Sequence, residues 1–278
     1  MTRDERRAAL EAIATEIRAC TACRLHEGRT RDVPGEGDPD TEVVFVGEGP
    51  GLNEDREGRP FIGRAGQLLG KLLEGIGWRR QDVFITNVVK CRPPDNRDPQ
   101  PDEIAACAPY LRRQLGVLDP AVVVTLGRFS MQTFIPGARI SSTHGTAHPV
   151  DPATGAKSAL VFAMYHQAAA LRSPSVERQS VDDMARVPGV LLRSRELREG
   201  GAAAPAGGAA DANQPGQPLA AVIEPSVDVA EPAVGVPAIP LIAFVPPGPA
   251  QGDAEPKTAA PVAPTMDPDP DASQLTLF

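Results

Sequence analysis

The sequence lacks the apolar segments that membrane insertion or secretion requires. No run approaches the roughly 20 apolar residues of a membrane span, and the start, Met1-Thr2-Arg3-Asp4-Glu5, has no apolar signal-peptide core. We therefore expect an intracellular, cytoplasmic protein without a membrane partner. Cysteine is also scarce, with four in 278 residues. In a reducing compartment, four cysteines indicate metal ligands or free thiols rather than two disulfides.

Positive charge is nearly absent from the C-terminal part of the chain. From Gly200 to Phe278 there are one basic residue, nine acidic residues and 15 of the 30 prolines, so this segment carries the whole formal net charge of -8. Residues 1–199 are balanced, with 27 basic and 27 acidic residues, and their basic side chains can still form a nucleic-acid-binding face. Ordering costs roughly 1–2 kcal/mol per residue, which an Ala/Gly/Pro-rich acidic segment does not offset. We expect one folded domain over 1–199 and a disordered linker over 200–273.

Hydrophobic periodicity predicts strands that alternate with helices. Short apolar runs rich in β-branched residues predict strands at 42–47, 83–89, 121–127 and 160–164. Apolar residues at helical spacing predict helices at 4–19, 68–76, 102–115, 128–135 and from 174 to about 199. This alternation predicts an α/β fold, in which helices cover both faces of a mainly parallel sheet in three layers, α/β/α.

Three polar side chains close three different predicted strands. Glu48 lies in a glycine-rich turn after the first strand, Asn87 ends the second, and His166 follows the last. Each has an ordinary structural use by itself, as a solvated loop acid, an Asx turn or a structural histidine. Because the carboxyl ends of parallel strands share one edge, we expect all three around one ligand. The Asn amide suits a ligand edge with one donor and one acceptor.

The glycine-rich turn at 47–51 also has the composition of a phosphate-binding loop, since glycines let backbone N–H groups approach an anion. No helical pattern begins directly after it. The polar stretch from Leu52 to Arg59 intervenes, and the next predicted helix starts near Gly63. A zinc-stabilised nucleotide-binding protein is an alternative function, and it requires a phosphate ligand at this turn.

The four cysteines are spaced for a shared metal centre. Cys20 and Cys23 form a C-x₂-C pair after the first predicted helix, and Cys91 and Cys107 form a C-x₁₅-C pair after the second strand. Four thiolates suit zinc or an iron–sulfur cluster, and the residues themselves do not separate the two. Buried thiols without a ligand are the remaining interpretation.

Taken together, these segments resemble the family 4 uracil-DNA glycosylases, the iron–sulfur members of the uracil-DNA glycosylase superfamily. The resemblance extends from about Cys20 to Arg172 and includes the four cysteines in order and the His166 loop. It also includes three motifs, Gly47-Glu48-Gly49-Pro50-Gly51, Gly58-Arg59-Pro60-Phe61-Ile62-Gly63-Arg64-Ala65-Gly66 and Asn87-Val88-Val89-Lys90-Cys91-Arg92-Pro93-Pro94.

The resemblance implies an enzyme that hydrolyses the N-glycosidic bond of deoxyuridine in DNA. The nucleotide would be flipped out of the duplex, and an abasic site would remain for base-excision repair. The implied substrate-binding residues are Gly49, Phe61, which stacks on uracil, and Asn87, which reads its edge. Glu48 would place the attacking water and His166 would face uracil O2, as the catalytic residues. A leaving uracil anion needs such a donor and a held water rather than a protein nucleophile.

The resemblance also implies a cofactor and a DNA surface. A [4Fe–4S] cluster would be held by Cys20, Cys23, Cys91 and Cys107, with zinc as the alternative occupant. Uracil-containing DNA would be the partner of a monomer associated with the nucleoid. The expected DNA-binding residues are Arg64, Arg92, Leu171 and Arg172, of which the last two match the segment that enters the duplex. A non-catalytic iron–sulfur DNA-binding protein of the same fold is the alternative function.

Two departures from the family pattern bear on activity. Gln167 stands where the family usually has proline after the histidine, which removes a restriction on the backbone of His166. The related branch that captures uracil-DNA covalently has an inserted histidine-containing stretch before the fourth cysteine. The segment from Cys91 to Cys107 contains no histidine, so we expect turnover rather than capture.

The last five residues resemble the pentapeptide with which bacterial repair proteins bind the DNA sliding clamp. The expected clamp-binding residues are Gln274, Leu275, Leu277 and Phe278, at the end of the predicted linker. Apolar anchors on an extended peptide suit such a groove. A flexible coil of about 75 residues spans roughly 45–50 Å, which would keep a clamp-bound enzyme close to DNA.

Overall fold

The computed structural model describes residues 1–202. The predicted linker beyond residue 202 and the predicted clamp-binding residues Gln274, Leu275, Leu277 and Phe278 lie outside the described residues.

Residues 1–202 form helices and short strands in alternation. The helices are α1 (Arg3–Ala19), α2 (Leu25–Gly28), α3 (Leu52–Glu57), α4 (Arg64–Gly75), α5 (Pro101–Leu118), α6 (Arg128–Phe134), α7 (Ile140–Thr143), α8 (Gln167–Ala170) and α9 (Pro174–Ala202). The strands are β1 (Glu36–Gly37), β2 (Val43–Gly47), β3 (Phe84–Asn87), β4 (Val122–Leu126), β5 (Ala147–Pro149) and β6 (Leu160–Met164). No helix in this part of the chain is both long enough and apolar enough to cross a membrane.

The strands form one mixed sheet in the order β1-β3-β2-β4-β6-β5. The four inner strands are parallel, and the two edge strands β1 and β5 are antiparallel to their neighbours. All residues of the inner strands are buried, as expected for strands covered on both faces. The predicted mainly parallel sheet is therefore confirmed, with two edge strands that the sequence did not reveal.

Helices cover both faces of this sheet and bury separate apolar cores. On one face, α4 and α9 pack on side chains that include Phe45, Ile85 and Val124. On the other face, α5 packs on side chains that include Val46 and Val123. Alternate residues of one strand thus enter opposite cores, because side chains along a strand point to opposite faces. The α/β fold with three layers is confirmed.

The segment after the glycine-rich turn corrects one sequence prediction. The polar stretch from Leu52 was expected to lack helical structure, but α3 begins at Leu52, directly after Gly51. Its signal was weak because the helix has six residues and buries only the side chain of Asp55. The Asp55 carboxylate accepts hydrogen bonds from the Thr30 backbone N–H at 2.9 and 3.1 Å, which ties this short helix to the loop before β1.

The last helix, α9, runs from the carboxyl ends of the parallel strands back to their amino ends. It begins at Pro174, shortly after the carboxyl end of β6, and near its end the Ser194 hydroxyl donates to the Ala121 carbonyl just before β4, at 2.6 Å. The Arg198 Nε donates to the Ser158 carbonyl just before β6, at 2.8 Å. The helix therefore ends at the amino edge, opposite the carboxyl ends of the parallel strands.

Candidate active site

A pocket of about 450 Å³ lies at the carboxyl edge of the parallel strands. Glu48 follows β2, Asn87 ends β3 and His166 follows β6, so the topology brings the three predicted residues together. Gly49, Phe61 and Arg172 also line the pocket. The remaining lining residues are Pro50, Gly51, Glu54, Ala65, Pro93, Asn96, Arg97, Ala168 and Ala169.

The pKa of Glu48 is unusually high for a loop carboxyl group. Burial in the pocket raises the pKa of Glu48 to about 7. The negative charge of Asp98 raises this pKa further, whereas the positive charge of Arg128 lowers it. A carboxyl group that titrates near neutrality is suited to accept a proton from water.

Phe61 is held in the pocket by its own loop. Its backbone has a φ of 52°, in the left-handed region that a residue with a Cβ rarely adopts. The Arg80 guanidinium donates to the Phe61 carbonyl at 2.8 Å. On the other side, Glu54 Oε1 accepts hydrogen bonds from the N–H groups of Ile62 and Gly63, at 2.9 and 2.8 Å. These contacts stabilise the strained backbone that presents the ring.

Gly47 leaves the space that two pocket side chains occupy. A Cβ at this position would lie 2.4 Å from Asn87 Oδ1 and 2.5 Å from Phe61 Cζ. Both distances are far below van der Waals contact, so neither side chain could keep its place beside a larger residue. The first glycine of the turn 47–51 is thus required for close packing.

Asn87 presents an unsatisfied acceptor. The residue is 1% exposed, and its Oδ1 has no hydrogen-bond partner among the described residues. A buried amide oxygen without a partner costs about 1–3 kcal/mol unless something bonds to it. An N–H donor on a bound ligand would remove this penalty.

His166 is neutral, and its tautomer follows from one contact. Nδ1 accepts a hydrogen bond from the Ala168 N–H at 3.1 Å, as the N-cap of α8. Burial, together with the positive charge of Arg172, lowers the pKa of His166 to about 4. The neutral ring therefore has its proton on Nε2. Its centroid lies 5.8 Å from that of Phe61, so Nε2–H is a donor beside the aromatic ring.

Gln167 does not displace the histidine from the backbone region that a following proline would impose. His166 has φ −67° and ψ 136°, which is extended. The Gln167 side chain is fully buried, and its Nε2 makes a long hydrogen bond of 3.4 Å to the Tyr165 carbonyl.

The four predicted DNA-binding residues lie in different surroundings. Arg172 lines the pocket, and the neighbouring Leu171 is 41% exposed although it is apolar. Arg64 is exposed at the first position of α4. Arg92 is half-buried, and its Nε donates to Asn96 Oδ1 at 2.7 Å. Arg64, Arg92 and Leu171 are not among the residues that line the pocket.

The four cysteines line one small cavity, between the end of α1, the segment after β3 and α5. All four are free thiols. The structure of residues 1–202 shows no group of three or more His, Cys, Asp or Glu side chains placed around a single metal ion.

Hydrogen-bond donors point at three of the sulfur atoms. Cys91 Sγ accepts from Arg29 Nη1 at 3.2 Å, Cys107 Sγ from the Lys90 N–H at 3.3 Å, and Cys20 Sγ from the Ala22 N–H at 3.5 Å. Without a metal, burial raises the pKa of Cys107 to about 11 and also raises that of Cys91. A bound metal centre makes such thiols thiolates, and the donors fit that charge. The residues therefore fit the implied cofactor.

Sequence reasoning missed several pocket residues. Glu54 was overlooked because α3 was not predicted. Asn96 and Arg97 were overlooked because they lie in an irregular loop after the motif that runs from Asn87 to Pro94. Arg97 makes a bidentate ion pair with the fully buried carboxylate of Glu103, at 2.7 and 2.8 Å. The spacing of Arg97, six residues before Glu103 in the first turn of α5, was the available signal for this ion pair.

Fold and site define an α/β protein with a ligand pocket at the carboxyl edge of its sheet and a cysteine-lined cavity nearby. Residues 34–185 match the Uracil DNA glycosylase superfamily, and the chain belongs to this superfamily. The predicted fold and the prediction of a glycosylase enzyme are thereby confirmed.

Individual relatives agree with this assignment. The Type-4 uracil-DNA glycosylase of Thermotoga maritima is 46% identical over 172 residues, which cover 62% of this chain and 88% of the relative. The Type-4 uracil-DNA glycosylase of Archaeoglobus fulgidus is 44% identical over 183 residues, 64% of this chain and 91% of the relative. A Type-5 uracil-DNA glycosylase of Thermus thermophilus is 36% identical over 140 residues, 43% of this chain and 64% of the relative.

Proposed function

We propose that this protein is a uracil-DNA glycosylase that removes uracil from DNA by hydrolysis and leaves an abasic site. The observation that carries the proposal is the unpaired, buried Oδ1 of Asn87 beside the ring of Phe61 and the Nε2–H of His166. These three groups match three features of uracil that a protein can recognise: the flat ring, the N3–H edge and the O2 acceptor.

Asn87 accounts for the choice of uracil over cytosine. Its Oδ1 accepts from uracil N3–H and its NH₂ donates to O4. Cytosine has an acceptor at N3 and a donor at C4, so both contacts would become repulsive. A site built around such a pair discriminates strongly, because the wrong base leaves buried polar groups unpaired.

The chemical step requires charge stabilisation and a water molecule. Cleavage of the N-glycosidic bond leaves the electron pair on uracil, and His166 Nε2–H stabilises the negative charge that develops at O2. Glu48 as a carboxylate orients water toward the sugar carbon and accepts its proton. The neutral histidine keeps its proton and acts as a hydrogen-bond donor, so uracil leaves as the anion.

A phosphate-binding role for the turn 47–51 is not part of the proposal. Two carboxyl groups, Glu48 and Glu54, line the same pocket as this turn, and they disfavour a second anion there. Close packing against Asn87 and Phe61 already accounts for the glycine at position 47.

DNA access follows from the position of the pocket. The nucleotide must leave the duplex to reach Asn87, at a cost of a few kcal/mol. We propose that Leu171 fills the vacated space, because it is an exposed apolar side chain next to the pocket residue Arg172. Arg172, Arg64 and Arg92 would bind phosphates of a bent duplex.

We propose that the four cysteines hold a [4Fe–4S] cluster with a structural role. The cluster would connect the end of α1, through Cys20 and Cys23, to Cys91 and to Cys107 of α5. Cys91 lies four residues after Asn87, so this connection fixes the segment that follows the uracil reader.

The domain organisation is proposed as an enzyme over 1–199, a disordered linker over 200–273 and a clamp-binding peptide over 274–278. The support from the structure is the course of α9, which ends at the amino edge of the sheet. Deletion of 274–278 should abolish clamp pull-down and leave activity on free oligonucleotides unchanged; unchanged pull-down would refute this part.

The decisive experiment is uracil release from a synthetic duplex that contains one deoxyuridine, with matched cytosine and thymine duplexes. We expect release from the uracil duplex alone. Asn87→Ala and His166→Ala should each lose about 100-fold or more in kcat/KM, whereas His148→Ala, at the sheet edge, should behave as wild type. Binding of the duplex without uracil release would support the non-catalytic DNA-binding alternative instead.

A further inference from the structure

Lys90 is a buried lysine that points toward the end of β3. It is 1% exposed and is among the largest fully buried side chains of the described chain. Its ammonium donates three hydrogen bonds: to Thr86 Oγ1 at 2.6 Å, to the Asn87 carbonyl at 2.7 Å and to Gln114 Oε1 at 2.7 Å. All three acceptors are neutral, which is unusual for a buried lysine, because burial of an amine is costly unless a charge compensates it.

The backbone of Lys90 is fixed as firmly as its side chain. Its N–H donates to Cys107 Sγ at 3.3 Å, and its carbonyl accepts from the Val33 N–H at 2.8 Å. Lys90 thus connects a predicted cofactor ligand on α5 with the residue that lines the pocket at the end of β3. Burial and the three hydrogen bonds of the ammonium group hold the other end of the side chain.

Of the three acceptors, the Asn87 carbonyl depends most on Lys90. The Thr86 hydroxyl also donates to the Pro34 carbonyl at 2.9 Å, and the Gln114 amide donates to the same carbonyl at 2.7 Å. These two side chains therefore remain anchored without the lysine. No backbone N–H from the described turns and loops reaches the Asn87 carbonyl.

We propose that Lys90 is the positioning residue for Asn87: its ammonium group fixes the carbonyl of Asn87, and thereby the direction of the amide that reads the uracil edge. The inference rests on the proposed function, because it gives Asn87 the role of uracil reader. A side chain that is displaced by about 1 Å can lose about 100-fold in rate. Because Thr86 and Gln114 are also anchored at the Pro34 carbonyl, the Asn87 carbonyl is the group that the lysine positions.

The test separates uracil binding from DNA binding. Lys90→Met should raise the inhibition constant of free uracil about tenfold or more and lower kcat/KM on uracil-DNA by a similar factor. The affinity for a duplex that already contains an abasic site should stay within about twofold, because that product does not contact Asn87. The control is Lys157→Met, which removes an exposed lysine far along the chain and should match wild type in all three measurements.

Two further variants keep the test valid if Lys90→Met does not fold. Gln114→Met removes another acceptor of the same ammonium and leaves the bond to Asn87, so it should lower Tm without changing the uracil inhibition constant. Lys90→Gln retains a side-chain N–H donor and should restore part of the uracil affinity. An increase of the uracil inhibition constant in Gln114→Met as large as that in Lys90→Met, or in Lys90→Gln where Lys90→Met does not fold, would overturn the inference.

The outcomes also separate this inference from the proposed function. A wild-type protein that releases uracil, together with a Lys90→Met variant that has unchanged uracil inhibition, refutes the positioning role alone. Equal weakening of uracil and abasic-site binding in Lys90→Met also refutes it, because general loosening would explain the loss. A wild-type protein that neither releases nor binds uracil refutes the proposed function and this inference with it.

Discussion

Arg128 and Asp98 form an ion pair, with 2.8 Å between Nη2 and Oδ2, and the two charges act on Glu48 in opposite directions. Asp98 adds to the effect of burial that raises the pKa of Glu48 to about 7, and Arg128 opposes it. The pair connects the loop between Pro94 and α5 to the start of α6. Burial is the main cause of the raised pKa, and the two charges of the pair adjust the pH at which the pocket carboxyl group becomes a base.

The acid limb of the pH profile of kcat/KM should therefore respond to both partners. In wild type, activity should fall as the pH drops through about 7, because Glu48 becomes protonated. Asp98→Asn removes a negative charge, lowers the pKa of Glu48 and should move the limb to lower pH by about 0.5–1 unit. Arg128→Gln should move it to higher pH by a similar amount.

Asp95→Asn is the control for these two variants. Asp95 is exposed in the same loop and does not contribute to the pKa shift of Glu48. The acid limb of the pH profile of Asp95→Asn should therefore coincide with that of wild type. Movement of the limb in the same direction in Asp98→Asn and Arg128→Gln would contradict the assignment of Glu48.

His166 should remain neutral in the working range of the enzyme. Its pKa is lowered to about 4, so ¹⁵N NMR should show no titration of this ring from about pH 5 to about pH 8. The same spectra should show the proton on Nε2. Arg172→Gln should raise the pKa of His166, because it removes a positive charge that lowers it. An imidazolium form at neutral pH would rule out the proposed role as a neutral donor.

The sequence was informative where periodicity and topology decide the outcome. The ends of three strands predicted that Glu48, Asn87 and His166 meet, since the carboxyl ends of parallel strands share an edge whatever the details of packing. Glu54 was not predictable in this way. Its helix has six residues and only one buried side chain, so it has no apolar periodicity, and its position depends on contacts with the Phe61 loop.

Lys90 and the edge strands were hidden for a related reason. A lysine after a strand is expected at the surface, because burial of its amine is costly. Two of its acceptors, Thr86 and Asn87, belong to the preceding strand, but the third, Gln114, lies in α5 and meets the lysine only in the folded chain. The strands β1 and β5 have two and three residues. Pairing with β3 and β6 defines them, and so short a segment has no pattern of its own.

Cysteine variants should test the cofactor by its content as well as by activity. Protein purified without oxygen should contain about four iron atoms and acid-labile sulfide per chain. Cys107→Ala should lose most of both and lower Tm, because the proposed cluster would connect α1 to α5. Arg29→Met keeps all four cysteines but removes the N–H donor to Cys91 Sγ, so its iron should be lost faster in air. Stoichiometric zinc without iron would contradict the cluster.

Gly47→Ala should disable the pocket without an effect of comparable size on the fold. The new Cβ would meet Asn87 Oδ1 and Phe61 at 2.4–2.6 Å, so one of these side chains must leave its position. We expect a loss of about 100-fold in kcat/KM and weaker inhibition by free uracil. The matched control is Gly70→Ala in α4, where a Cβ meets nothing within 4 Å. That variant should retain activity and gain about 0.5–1 kcal/mol in stability, because alanine favours a helix interior.

Glu54 variants should show whether this carboxyl group acts through the Phe61 loop or in the chemical step. Glu54 Oε1 accepts from the N–H groups of Ile62 and Gly63, and the amide oxygen of a glutamine can accept the same two bonds. If Glu54 only supports Phe61, Glu54→Gln should keep activity within about fivefold, while Glu54→Ala should lose about tenfold or more, mainly through weaker uracil binding.

A chemical role gives the opposite pattern. A carboxylate that accepts a proton loses its function in Glu54→Gln as fully as in Glu54→Ala, and the loss is in kcat rather than in uracil binding. Glu57→Gln, an exposed neighbour in α3, controls for the charge change. Because Glu48 already supplies a carboxyl group with a pKa near neutrality, we expect the first pattern, in which the backbone N–H groups of the loop define the function of Glu54.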